Sequence, residues 1–94
     1  MSKTRVLLGT VTDDMDDFDK IRERIRARCV QMNYPNNVAF QTGGDIAAMI
    51  EGIGVTDEWL QTADRRQIDD KIVEAYGHHD KDIRNTLCEA YGIE

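Results

Sequence analysis

The sequence predicts an α+β domain: an N-terminal strand–helix–strand followed by a cluster of three to four short helices, the last two a near-repeat helical pair. Three observations carry this expectation. A short β-rich run, Thr4–Leu8, is closed by Gly9. An apolar rhythm of helical period runs from about Asp14 to Met32. Residues 66–77, RQIDDKIVEAYG, recur fifteen positions later as residues 81–92, KDIRNTLCEAYG.

Taken in order, Thr4–Leu8 reads as the first strand. Phe18, Ile21, Ile25, Cys29 and Met32 then repeat at helical spacing. Tyr34-Pro35 ends that helix, because the residue before proline avoids helical geometry. Asn36-Asn37 reads as a turn, Val38–Gln41 as a second strand, and Gly43-Gly44 as a break before a short helix from Asp45 to Glu51. A second break, Gly52–Gly54, precedes a helix capped by Thr56 and carrying Trp59 and Leu60. Two short strands leave a sheet edge open unless Ile53–Val55 adds a third, and an open edge invites pairing with a partner strand or a second copy.

The repeat closes the chain with two amphipathic helices. Ile68, Ile72 and Tyr76 in one, and Ile83, Leu87 and Tyr91 in the other, set stripes expected to close a core, with Val73 and Ala75 broadening the first. Asp64 with Gln67 makes a capping box, Asp80 is an N-cap, and Gly77 and Gly92 stand where a left-handed cap is needed. The short loop Gly77–Asp80 makes the two helices neighbours.

The chain of 94 residues is read as a single domain, residues 1–94. Its 40% hydrophobic and 32% charged residues fit a globule rather than a disordered chain. No apolar run approaches the ~18 residues of a membrane span. Lys3 and Arg5 precede only Val6-Leu7-Leu8, which is no export signal. Cys29 and Cys88 read as reduced core thiols, so the expected compartment is the cytoplasm.

Charge is unevenly placed. Residues 13–19 hold five aspartates and no base, and Lys20, Arg22, Arg24, Arg26 and Arg28 follow against Glu23 alone. Residues 57–94 carry ten acids and five bases, and the whole chain has a formal charge of −6. Acids at the start of a helix and bases further on complement its dipole. Asp16–Lys20, Asp19–Arg22 and Glu23–Arg26 have pairing distances along a helix. Arginines flanking the apolar stripe, Arg22 and Arg26 on one side and Arg24 and Arg28 on the other, are expected to reach acids on the C-terminal helices, such as Asp69 and Asp70.

Few residues point to chemistry. A calcium loop starting at Asp14 would place Phe18 at a ligand position and lacks its glycine. His78 and His79 are adjacent in a loop and point apart, and Cys29 has no base at a predictable distance. Gly9-Thr10 lacks the rest of a phosphate loop, and Asp45 would itself cap the donors after Gly43-Gly44. No catalytic residue, metal ligand or cofactor is therefore expected, and the protein is read as a non-enzyme.

What remains is an acidic, non-catalytic protein-binding module. Asp57, Glu58, Asp64, Asp69, Asp70 and Glu74 would present carboxylates in place of phosphates to a basic, nucleic-acid-binding surface of another protein. Its size and acidity resemble those of small phage-encoded inhibitors of host defence nucleases, including anti-CRISPR proteins; the likeness is one of composition. Two alternatives stand beside it: direct nucleic-acid contact by Lys20, Arg22, Arg24, Arg26 and Arg28, and a structural homodimer joined at the open sheet edge.

Overall fold

The computed structural model describes residues 11–94, which fold as five α-helices with no strand among them. The expected α+β class is thereby corrected to an all-helical one. Thr4–Leu8 lies outside the described residues. The second expected strand, Val38–Gln41, is helical, and Ile53–Val55 forms a helix end and turn rather than a strand. A homodimer joined along a sheet edge therefore has no strand to use among the described residues.

The first helix, α1, spans Asp17–Gln31. Asp16 caps it, its carboxylate accepting the Asp19 N–H at 2.8 Å. Ile21, Ile25 and Cys29 are buried at helical spacing. The helix stops before Pro35, with Asn33 at φ 69°, a left-handed conformation that asparagine tolerates better than most residues.

The segment expected to hold turn, strand and glycine break is instead one helix, α2, Asn36–Gly52. Pro35, at φ −57°, pre-sets its entry. Ala39, Gly43, Ala47 and Ile50 form its buried stripe. Such small side chains let α2 lie close against α1, and this is the most extensive helix pair in the molecule. At the crossing, a Cβ on Gly43 would stand 2.7 Å from the Arg22 carbonyl oxygen and 3.2 Å from the Arg26 nitrogen. Both are backbone atoms, so only glycine fits. The glycine read as a helix breaker is a packing device, and the helix propensity it forfeits, about 1 kcal/mol, is offset by the contact it permits.

The last three helices are α3 (Asp57–Thr62), α4 (Arg65–Tyr76) and α5 (Lys81–Tyr91). Their expected caps are present. Thr56 accepts the Trp59 N–H at 3.0 Å, and Asp80 accepts that of Ile83 at 3.1 Å. Asp64 and Gln67 form the reciprocal capping box at 2.8 and 2.9 Å. Gly77 and Gly92 end α4 and α5 at φ 77° and 65°. Helix α1 is central, packing on α2, α3 and α5, while α5 packs on α1, α3 and α4. Ile21, Ile25, Ile50, Leu60, Ile68, Ile72, Leu87 and Tyr91 fill the space between them.

Candidate acidic docking surface

The arginines of α1 are turned inward or sideways onto acids of the same chain. Arg22 bonds Asp19 at 3.0 Å and lies 4.7 Å from the centre of the Phe40 ring. Arg26 is held by Glu23, with Nε donating to Oε2 at 3.0 Å. Arg28 crosses to α5, where its Nε donates to Glu89 at 2.6 Å. Lys20 has no such ion pair among the described residues, and Asp16, expected to pair with it, serves as the α1 cap instead. Cross-helix pairs to the C-terminal half do form, but with Asp57 and Glu89 rather than Asp69 or Asp70.

Arg24 is the exceptional member. It is only 7% exposed, and its Nε donates to Asp57 Oδ1 at 3.4 Å. Asp57, at 2% exposure, also accepts from the Tyr91 hydroxyl and, through Oδ2, from the Gln61 amide at 2.9 Å. Its backbone N–H donates to the Asp17 carboxylate at 3.0 Å, so an acid of α1 satisfies an amide at the start of α3. The Arg24 guanidinium stands 5.7 Å from the centre of the Tyr91 ring. Burial, reinforced by the Asp57 carboxylate, pushes the Tyr91 hydroxyl well above the usual tyrosine range. Among the described residues, no buried side-chain nitrogen or oxygen lacks a partner. A buried carboxylate with such partners joins α1, α3 and α5, and loss of one charge from a pair of this kind typically costs about 3–5 kcal/mol.

Asp57 is thus withdrawn from the set of acids able to meet a partner. Of the other five, Asp69 is half-buried and bonds Arg84 of α5 at 3.2 Å. Asp64 is exposed but engaged as the α4 cap. Glu58, Asp70 and Glu74 are exposed and enter no ion pair among the described residues. Asp70 and Glu74 lie one turn apart on the side of α4 opposite Ile68 and Ile72.

The Asp57 network is absent from what the six acids lead one to expect. Its sequence signal is faint: an acid after the Thr56 cap looks like any helix-start aspartate, and Arg24 is thirty-three residues away. A tyrosine in an apolar stripe, needing a partner for its hydroxyl, was the available hint.

Other candidate groups are placed as follows. His78 and His79 are exposed, and His78 Nδ1 lies 2.9 Å from the His79 carbonyl oxygen. Cys29 and Cys88 are buried free thiols whose pKa is raised by burial, which disfavours the thiolate. Asp45 does not cap a helix but sits exposed within α2. Among the described residues no group of three or more His, Cys, Asp or Glu side chains is arranged to hold a metal ion, and no helix is long and apolar enough to cross a membrane. Neither protein-family models, curated proteins nor solved structures gave a match to the chain.

Proposed function

We propose that the protein is a non-catalytic binding module that docks through exposed carboxylates on a basic, nucleic-acid-binding surface of another protein. The observation that supports this reading is the pairing of the arginines. Arg22, Arg24, Arg26 and Arg28 are each matched by an acid of the same chain. The acidic surplus, −6 overall, is therefore left to residues facing solvent, among them Glu58, Asp70 and Glu74. Carboxylates one turn apart on α4 imitate neighbouring phosphates, so the role is that of a competitive blocker of nucleic-acid entry, as for a phage or mobile-element inhibitor of a host defence nuclease. The same pairing disfavours the alternative of nucleic-acid contact by Lys20, Arg22, Arg24, Arg26 and Arg28, since each paired arginine would first have to give up its carboxylate.

The test is competition. Purified nucleic-acid-handling proteins are titrated with this protein, with and without their nucleic acid. Binding is expected to be mutually exclusive with nucleic acid, to weaken with salt, and to be lost in the triple variant Glu58→Gln, Asp70→Asn, Glu74→Gln. A partner held equally well by the triple variant, or held together with its nucleic acid, overturns the proposal.

A further inference from the structure

Helix α2 differs from its neighbours in charge. Its seventeen residues include two acids, Asp45 and Glu51, and no base, in a chain that is 32% charged. One side is spent on α1. The opposite side carries Val38, Gln41, Asp45, Ala48 and Met49, all exposed and spaced to share one face. Tyr76 extends that face from α4, its hydroxyl donating to the Met49 carbonyl at 3.2 Å. Val38, Met49 and Tyr76 are 41%, 45% and 40% exposed. Apolar side chains thus stand at the two ends of this face, around Gln41 and Asp45 at its centre.

We infer that the outer face of α2 is covered by α2 of a second copy, the two helices running antiparallel about a two-fold axis. The face is complementary to itself in that arrangement. When two such helices are laid antiparallel so that Gln41 meets Asp45 of the other copy, Asp45 meets Gln41 in return, and Val38 falls opposite Ala48 and Met49. Each apolar end then meets an apolar end, and each carboxylate receives an amide donor. The parallel, in-register alignment instead sets Asp45 against Asp45 and is disfavoured by like charge. A cationic partner fits this face less well, because the face offers a single central carboxylate, Asp45. Net charge also selects α2: two copies of an acidic chain repel least where the surface carries fewest charges.

Sedimentation equilibrium on the full chain, from micromolar to millimolar concentration at physiological salt, tests this inference. A monomer–dimer equilibrium is expected. Met49→Asp, at an exposed position, should raise the dissociation constant by at least about tenfold while leaving the helical circular dichroism unchanged. Gln41→Lys should tighten the dimer several-fold by placing an ammonium opposite Asp45 of the other copy. A monomer at every concentration, a dimer indifferent to Met49→Asp, or a Gln41→Lys dimer no tighter than the parent overturns the inference. A monomer whose binding to a cationic partner is abolished by Met49→Asp also overturns it and assigns the face to that partner. The docking proposal is read by a different variant, the triple Glu58→Gln, Asp70→Asn, Glu74→Gln, so loss of the dimer and loss of docking are told apart.

Discussion

Helices α4 and α5 end on the same four letters, Glu-Ala-Tyr-Gly, and the molecule treats the two copies in opposite ways. In α5, Ala90 and Tyr91 are fully buried, and Glu89 reaches back to Arg28. In α4, Glu74, Ala75 and Tyr76 are all exposed. The expectation that both tyrosines close the core therefore holds for Tyr91 and fails for Tyr76, as does the expected contribution of Ala75. What the copies share is local: a glycine in left-handed geometry and a helix that stops there. What they do not share is set by neighbours. Helix α5 lies among α1, α3 and α4, whereas the last turn of α4 is exposed and its Tyr76 hydroxyl donates to the Met49 carbonyl of α2. Sequence identity over one turn fixes a cap but not a burial.

The sharpest way to break this contrast is to truncate each tyrosine. Tyr91→Ala should cost about 3–5 kcal/mol, because it opens a cavity and strips a donor from Asp57. Tyr76→Ala should stay within about 1 kcal/mol. Urea denaturation of the two variants reads the difference directly, and equal losses would mean the repeat is symmetrical after all.

A second contrast of identical letters lies at Gly43 and Gly44. Gly43→Ala drives a Cβ against backbone of α1 and should destabilise the fold by about 1–3 kcal/mol. For Gly44→Ala the nearest atom is the Arg22 Cδ at 3.8 Å, an ordinary contact, so the helix-propensity gain should stabilise by about 0.5–1 kcal/mol. Opposite shifts in melting temperature for adjacent alanines are the expected result.

The caps supply the control. Gly77→Ala and Gly92→Ala each force a side chain into positive φ and should each cost about 1–2 kcal/mol. Similar losses at the two sites would sharpen the distinction between what is local and what is not. A large asymmetry would count against it.

The last effect is one of pH. The hydroxyl of Tyr91 has its pKa raised in the folded state, so the native protein holds this proton more tightly than the unfolded chain does. The stabilisation is complete below the unfolded tyrosine pKa of about 10 and declines as pH rises beyond it. Alkaline unfolding should begin there, and Tyr91→Phe, though less stable at neutral pH, should remove that part of the pH dependence. A denaturation midpoint followed across alkaline pH would show whether it does.

The parts of this fold legible in sequence are those decided within a turn or two of chain. Asp64 with Gln67, Asp80, Thr56, Gly77 and Gly92 all act as read, and so do the ion pairs Asp19–Arg22 and Glu23–Arg26. The misreadings arise where a distant residue decides. Val-Ala-Phe-Gln between Asn-Asn and Gly-Gly has the composition of a short strand, and nothing within it reports that Arg22 and Arg26 lie across from Gly43. The spacing Ala39, Gly43, Ala47 was the available signal, since small residues at four-residue intervals suit a close helix crossing. Asp57 is illegible for the same reason: its charge suggests solvent, and partners on other helices, Arg24 and Tyr91, together with Gln61, make its burial tolerable. Glu58, Asp70 and Glu74 were readable as exposed acids because no distant group claims them.

Helix α3 carries one more consequence. Six residues are far too few to hold a helix in water, where isolated helices need about 12–15 to become even marginal. Its amides owe their protection to Asp57, anchored by Arg24 and Tyr91, rather than to its own ladder. They should therefore exchange with deuterium as one cooperative group, at the rate at which that anchor opens. Trp59, the single tryptophan of the chain, lies in the same turn, half-buried against the core. Its emission thus becomes an optical gauge of a buried carboxylate, following the seating of α3 while the longer helices remain silent.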